Sequence, residues 1–277
     1  MKDYILYLFI LLVITIPFLY RFINVGNPAW FVVMKKPGEI LNYNQAEKFR
    51  IIQVLLGFSY FVYHGIMYWG WNNLILLIIL TFFISMSAEI IGSKTGLIFG
   101  GKYQYNVHKT PGYMMYNIPL LIPIAWFGLI YMALNLYSAI MKVSPSTILS
   151  GTTSHLIILS SVMVVALDLV LDPIAVNENR WSWKFKGRYY GVPILNFFGW
   201  FSVAVLIIMI FSVLRYPVVY ASDQNHFMMK YSPGILFLLL HIIAARPCFE
   251  RGLIIPGTLG LIFAAIYLYL IYIQYQF

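Results

Sequence analysis

The chain has 277 residues, of which 61% are hydrophobic, 18% aromatic and only 10% charged, a balance that exceeds that of soluble domains and predicts a polytopic membrane protein. The net charge of +9 comes from basic residues scattered through short segments between apolar runs, which argues against a nucleic-acid-binding surface. The single cysteine, Cys248, excludes an internal disulfide, and neither it nor the histidines show the spacing of metal ligands, so we expect no metal site.

Eight apolar runs that could cross a bilayer follow one another along the chain. They cover residues 4–20, 51–69, 74–91, 118–141, 156–172, 192–214, 231–245 and 253–273. The seventh run is the doubtful one because its purely apolar part covers only residues 235–245, so seven full spans are the alternative. We therefore predict an all-α fold, a polytopic membrane helical bundle of about eight transmembrane helices, forming a single integral membrane domain over residues 1–277.

The Lys and Arg residues indicate how these helices are oriented. Of the 18 Lys and Arg residues, fourteen follow the first, third, fifth and seventh runs. The four others are Lys2, Lys142, Arg215 and Lys230. Because cytoplasmic loops carry the excess of basic residues, we expect a multi-pass protein of the cell membrane with both termini outside.

One motif occurs twice with the same internal spacing. Tyr116-Asn117-Ile118-Pro119 leads to Trp126, and Tyr190-Gly191-Val192-Pro193 leads to Trp200. Each copy follows a Gly-basic-Tyr element, Gly101-Lys102-Tyr103 or Gly187-Arg188-Tyr189. The recurrence predicts two parallel repeated helical hairpins, formed by helices three and four and by helices five and six. Alternatively, interfacial aromatics and helix-start prolines recur because they are common in membrane proteins.

Three of the nine carboxylates lie inside or at the end of apolar runs, namely Glu89, Asp168 and Asp172. An ionised group is costly there, so each is a candidate for a functional site. Asp168 and Asp172 are four residues apart and share a helical face, where two negative charges repel, so we expect one to keep its proton. All three acids approach the basic side, so we expect one shared site near the cytoplasmic face. Alternatively, a basic loop residue such as Arg180 neutralises them in an ion pair.

The two loops beside these acids are rich in aromatic residues. They carry Phe99, Tyr103, Tyr105, Tyr113 and Tyr116 in one loop and Trp181, Trp183, Phe185, Tyr189 and Tyr190 in the other. Aromatic ring faces stabilise cations and pack against polyenes, although an interfacial aromatic belt would account for many of these residues. Asn117 and Asn196 could orient water or a carboxyl group, or bond to backbone at a helix end.

A series of spaced residues within about 85–202 carries a resemblance to a known family. It comprises Glu89, Gly92, Gly96, Phe99-Gly100, Tyr103, Tyr105, Pro123, Ala125-Trp126, Ala166-x-Asp168-xxx-Asp172-Pro173, Trp181-x-Trp183 and Gly187-x-Tyr189-Tyr190-Gly191-Val192-Pro193-x-x-Asn196-Phe197-x-Gly199-Trp200. In these residues the chain resembles the membrane-bound carotenoid biosynthesis family, which includes carotenoid 1,2-hydratases of the γ-carotene and bisanhydrobacterioruberin type. The second half of the series is the more specific.

The resemblance implies a catalytic core at about 85–202 that adds water, without a cofactor, to a terminal double bond of a linear C40 or C50 carotenoid. One member of the Asp168/Asp172 pair would protonate the alkene to a tertiary carbocation, and Glu89 would orient and deprotonate the attacking water. The residues expected to bind the substrate are Tyr103, Trp126, Trp181, Tyr189, Asn196 and Trp200. The carotenoid would come from the membrane lipid, and water from the cytoplasmic loops.

Three other functions stay open at this point. A carotenoid cyclase would form the same cation and quench it with a double bond instead of water. An intramembrane prenyltransferase would hold magnesium diphosphate with aspartate motifs, of which Asp168-xxx-Asp172 resembles one half. A transporter or carotenoid-binding protein would also use parallel repeats, but its charged residues would typically lie at the membrane midplane, whereas the acids here lie near one face.

Overall fold

Helices make up most of the structure, a computed structural model that describes residues 2–25, 43–110, 112–143, 154–216 and 227–276. The eight helices within these ranges are α1 (Lys2–Val25), α2 (Tyr43–Tyr68), α3 (Trp71–Thr95), α4 (Leu121–Met141), α5 (Ser154–Asn177), α6 (Ile194–Leu214), α7 (Phe227–Glu250) and α8 (Ile254–Gln276). This architecture confirms the predicted all-α bundle.

The lengths of the helices confirm a multi-pass membrane protein. In the described ranges, all helices from α2 to α8, seven in number, are long and apolar enough to cross a membrane. They include α7, the seventh run whose purely apolar part is short. This helix is longer than that apolar part because it also contains Lys230 and two prolines, Pro233 and Pro247. The described side chains of α1 give a shorter apolar stretch, Tyr4–Pro17.

Helix α4 lies at the centre of the bundle. It contacts α2, α3, α5, α7 and α8, and its side chains from Trp126 to Ile140 are buried. A helix that is apolar on all sides packs inside a bundle. A polar side chain such as Asn135 bonds to the helix itself, donating to the Tyr131 carbonyl at 2.7 Å. Because α3 and α5 both pack against α4, the acids that they carry approach a common space.

Side chains from neighbouring segments satisfy the backbone beside three helix-interior prolines. A proline removes one backbone N–H, which leaves the carbonyl four residues earlier without its helical partner. The side chains that replace the lost N–H are Gln53 (Nε2 to Val13 O, 3.3 Å, for Pro17), Tyr189 (Oη to Leu169 O, 3.1 Å, for Pro173) and His64 (Nε2 to Met229 O, 2.8 Å, for Pro233). Inside a membrane such replacement is required, because lipid offers no hydrogen bonds.

Short strands join the loops that follow α3 and α5. Strand β1 (Tyr103–Tyr105) pairs antiparallel with β4 (Trp181–Trp183), while β2 (Met114–Met115) pairs with β3 (Ile118–Pro119). The sequence did not predict these strands because two or three residues show no alternating pattern. The β1–β4 pairing places the connections after α3 and α5 at the same end of the bundle.

The repeated motif adopts the same local structure in both copies. Tyr116 and Asn117 have φ values of 52° and 67°, and Tyr190 and Gly191 have values of 52° and 90°. Two consecutive positive φ angles are typical of a two-residue type I′ hairpin. The hairpins are closed by Met115 opposite Ile118 and by Tyr189 opposite Val192. Each hairpin leads into the second helix of its pair, as the repeat predicted.

The Gly-basic-Tyr elements, in contrast, are not equivalent in the structure. Tyr103 lies in β1, whereas Tyr189 lies in the second type I′ hairpin. The strands that occupy corresponding places, after the first helix of each pair, are β1 and β4, and these pair with each other. The two tyrosines lie at different distances from their hairpins along the chain. The Gly-basic-Tyr sequences are therefore alike in residue type but do not occupy equivalent positions.

Candidate active site

A cavity of about 480 Å³ lies between the helices and extends to the loops after α3 and α5. Its deeper part is apolar and is lined by side chains such as Phe61, Met132 and Leu236. Toward the loops it is lined by all three predicted catalytic acids, Glu89, Asp168 and Asp172. Pockets with apolar walls and few converging polar groups are typical of sites for small ligands.

Asp168 and Asp172 share one face of α5, as their spacing predicted. Their exposed fractions are only 2% and 3%. Asn196, in the first turn of α6, donates from Nδ2 to Asp168 Oδ2 at 3.1 Å and to Asp172 Oδ2 at 2.7 Å. The two carboxyl groups therefore lie side by side on one amide donor, close enough to act on each other directly. Two ionised carboxylates in such close and buried positions repel each other, so the arrangement favours a proton on one of the two acids.

Glu89 on α3 is bound quite differently. Its Oε2 accepts a 2.5 Å hydrogen bond from the Tyr103 hydroxyl and a 2.9 Å bond from Tyr105, and its exposed fraction is 3%. Burial, and next the nearby charge of Glu89, raise the pKa of both tyrosines, so both hydroxyls keep the protons that they donate. A carboxyl oxygen that accepts hydrogen bonds from two hydroxyl groups has the surroundings of a carboxylate anion.

The indole N–H of Trp126 lies beside the same Glu89 carboxyl group. It is fully buried but does not form a hydrogen bond of normal geometry. Trp126 stacks on Trp200, the equivalent residue of the second repeat, with ring centroids 4.1 Å apart and planes inclined by 17°. The two repeats therefore meet at a pair of indole rings in the cavity wall.

The predicted substrate-binding residues fall into two groups. Five of them line the cavity: Tyr103, Trp126, Trp181, Asn196 and Trp200. Tyr189 is not among the cavity-lining residues, and its hydroxyl donates to the backbone carbonyl of Leu169. The described contacts of Tyr189 are thus with the helix that carries the aspartates and with the rings of Tyr190 and Phe197.

Close backbone approaches bring these elements together. Gly96 ends α3 with a φ of 80°, a left-handed conformation that favours glycine. Gly199 lies so close to the Ile98 carbonyl that an added Cβ would be 2.3 Å from that oxygen. Helix α6, which carries Asn196, can therefore pack directly against the chain that leaves α3.

Within the described ranges, the ion pairs of the basic residues do not involve Glu89, Asp168 or Asp172. Arg180, the proposed ion-pair partner, lies 3.0 Å from Glu178 instead. Arg50 and Arg251 bind the same carboxylate at 2.5 and 2.6 Å. Burial raises the pKa of Glu178, but the three arginines outweigh burial and hold it below its ordinary value.

The sequence analysis missed the network around Glu178, which lines the loop end of the cavity. Its members come from α2, from the segment after α5 and from the α7–α8 turn. One signal was available, because Glu178 is an acid that lies six residues after the fifth apolar run and two residues before Arg180. Tyr105, the second donor to Glu89, was noted among the loop aromatics and in the family resemblance, but it was given no role at the site.

Comparison with known proteins identifies the family. A family model described as "Carotenoid biosynthesis protein" matches residues 49–267. Neither a search of curated proteins nor a search of solved structures finds a match. The matched range includes all of the acids, aromatics and loops that form the cavity except the residues of α1. The chain belongs to the carotenoid biosynthesis protein family.

Proposed function

We propose that the protein is a carotenoid hydratase that adds water to a terminal double bond of a linear C40 or C50 carotenoid, without a cofactor. The observation that carries the proposal is the contrast between the acids of the cavity. Asp168 and Asp172 lie side by side on one amide donor, where one of two neighbouring carboxyl groups keeps its proton, whereas Glu89 accepts hydrogen bonds from two hydroxyl groups. A proton donor and a proton acceptor on one apolar cavity are what acid-catalysed hydration of an alkene requires.

The first step is protonation of the alkene. One member of the Asp pair transfers its proton to the less substituted carbon, the π electrons form the new C–H bond, and a tertiary carbocation results. Asn196 stays bound to both carboxyl groups and stabilises the carboxylate that the transfer leaves behind. The stacked indoles of Trp126 and Trp200 supply electron-rich ring faces for the cation.

The second step is the addition of water. A water molecule attacks the cation, and Glu89 accepts the proton that the new C–O bond releases, which gives a tertiary alcohol. The proton returns from Glu89 to the Asp pair through water, so the cycle balances with one water consumed. Tyr103 and Tyr105 hold the Glu89 carboxyl group in place during both transfers.

Access to the cavity suits these reactants. The apolar part of the cavity, deep in the bundle, suits a hydrocarbon that comes sideways from the bilayer. Water comes from the loop end, which is lined by Glu178 and its arginines. On our proposed topology this end faces the cytoplasm, because the segments there carry most of the basic residues.

The test is conversion of a linear carotenoid by the purified protein in ¹⁸O-labelled water, with and without a magnesium chelator. We expect one ¹⁸O atom in each new hydroxyl group and no effect of the chelator. A cyclised product without added oxygen would contradict the hydratase and support a cyclase. A chain extended from a prenyl diphosphate in a chelator-sensitive reaction would support a prenyltransferase, and binding without conversion would support a carrier.

A further inference from the structure

In the helical turn between the two aspartates, one backbone carbonyl is bonded by a side chain instead of by a backbone N–H. Pro173 lies inside α5, so the Leu169 carbonyl lacks the N–H that an ordinary residue at 173 would donate. Leu169 directly follows Asp168, and Pro173 directly follows Asp172. The missing bond therefore lies in the single helical turn that sets the position of both carboxyl groups.

Tyr189 supplies the replacement donor. Its hydroxyl donates to Leu169 O at 3.1 Å, and burial raises its pKa, so the hydroxyl stays protonated. Tyr189 belongs to the type I′ hairpin before α6 and contacts Phe197 ring edge to face at 5.4 Å. This hairpin is tight, since a Cβ at Gly187 would be 2.1 Å from backbone atoms of Val192 and Pro193.

The same hairpin leads directly to Asn196, seven residues after Tyr189. One short segment thus holds the aspartate turn at two points, by Tyr189 at its backbone and by Asn196 at both carboxyl groups. If the Leu169 carbonyl lost its donor, it would tilt toward another donor or toward water, because an unsatisfied carbonyl is costly in this buried site. That movement would shift Asp172 relative to Asp168 and Asn196.

We propose that Tyr189 is a positioning residue that replaces the hydrogen bond lost at Pro173 and thereby holds Asp168 and Asp172 in register with Asn196. It acts through the backbone of α5 and does not touch the substrate. The inference rests on the proposed function for its kinetic consequence only, because the hydrogen bond itself is independent of the reaction.

The test is a double-mutant cycle of Tyr189→Phe and Pro173→Ala. Tyr189→Phe removes only the hydroxyl, and we expect kcat to fall on the order of 10-fold to 100-fold, the effect of small misplacements of catalytic groups, with KM nearly unchanged. Pro173→Ala restores the N–H that can donate to Leu169 O. In that background, Tyr189→Phe should therefore lower kcat by less than about twofold.

Tyr190→Phe is the matched control, since it removes a hydroxyl one residue further along that accepts from the Ile255 N–H. Its effect should be the same in the parent as in the Pro173→Ala background. If Tyr189→Phe impairs turnover equally in both backgrounds, or if it raises KM and leaves kcat intact, Tyr189 acts on the substrate and the proposal is wrong.

Thermal unfolding of the same variants separates this proposal from the proposed function. Tyr189→Phe should lower the midpoint in the parent and have little effect in the Pro173→Ala background. If the protein hydrates no carotenoid, the hydratase proposal fails, while this coupling still supports the hydrogen-bond replacement. If unfolding shows no coupling, the positioning role is wrong whatever the reaction. A Tyr189→Phe chain that fails to fold should fold again with Pro173→Ala.

Discussion

The buried acids of the cavity differ in the hydrogen-bond donors that surround them. Glu89 accepts hydrogen bonds from two hydroxyl groups, whereas Asp168 and Asp172 share one amide donor and lie beside each other. Carboxyl groups in contrasting surroundings commonly divide acid and base roles between them. The assignment of acid and base thus depends on neighbouring donors, since all three groups are carboxylic acids.

Replacement of either aspartate tests the acid role. Asp168→Asn and Asp172→Asn keep the shape of the side chain but cannot share a carboxylic proton, so we expect each to lower kcat by about 10²-fold to 10⁴-fold, the usual worth of a general acid. The measurement is hydration of a linear carotenoid by variants whose thermal unfolding confirms that they fold.

Glu250→Gln is the matched control for these variants. It makes the same chemical change at another cavity-lining residue, one that binds Arg246 at 3.1 Å in its own helix. Its turnover should stay within about twofold of the parent in protein that folds, because Glu250 transfers no proton in the proposed reaction. Near-normal turnover in both aspartate variants would mean that the pair has a structural role only.

At this scale the sequence predicted what depends on short-range spacing. The common face of Asp168 and Asp172 follows from a separation of four residues in a helix. The hydroxyl partners of Glu89 could not be predicted, because Tyr103 and Tyr105 reach it only through the placement of β1 against β4. Tyr189 was expected near the substrate, but its described partner, the Leu169 carbonyl, depends on a proline in another element.

Among the elements, Glu178 connects three that are distant in sequence. Arg50 comes from α2, Arg251 from the α7–α8 turn, and Arg180 from the segment that joins α5 to β4. The carboxylate is 5% exposed, whereas the arginines are 17–23% exposed. This network joins the three elements around a single buried anion at the loop end of the cavity.

Glu178→Gln should destabilise the fold and alter its response to acid. We expect a loss on the order of 2–3 kcal/mol, less than a fully buried pair because the arginines are partly exposed. Folding lowers the pKa of Glu178, so its stabilisation is present above the unfolded pKa and is lost as the pH falls through the folded pKa. Unfolding in detergent at neutral and acidic pH measures both effects.

The parent should therefore lose stability on acidification, and Glu178→Gln should lose less over the same range. Glu250→Gln again serves as the control, since Glu250 binds one arginine within its own helix whereas Glu178 binds three, so we expect a smaller loss of stability than for Glu178→Gln. An equal loss of stability on acidification in the parent and Glu178→Gln would show that another group titrates.

Long elements could be predicted from the sequence, whereas short ones could not. Long apolar runs specify helices because a bilayer admits only self-satisfied backbone. The bounds of α7 were underestimated because Lys230 and Pro233 interrupt its apolar pattern. The repeat predicted the helical pairs, and its Tyr-Asn and Tyr-Gly steps are now explained by two positive φ angles in each hairpin. The strands were too short to leave a pattern.

For the whole molecule, the proposed chemistry requires a defined orientation in the membrane, with the acids near the face from which water and protons come. The acids, the hairpins and the Glu178 network all lie at the end of the bundle where α3 and α5 finish. Water and protons must reach this end, while the hydrocarbon must reach the apolar part of the cavity from the bilayer. The excess of Lys and Arg in the same segments places this end in the cytoplasm on our proposal.

Cysteine labelling of intact cells tests this orientation. The native Cys248 is fully buried and is the single cysteine of the chain, so introduced cysteines report individually. Lys142→Cys, exposed just after α4, should react with a membrane-impermeant maleimide from outside. Lys184→Cys, exposed just after β4, should react only after the membrane is permeabilised. The reverse pattern would place the acid site at the outer face, and protons for the alkene would then have to come from outside the cell.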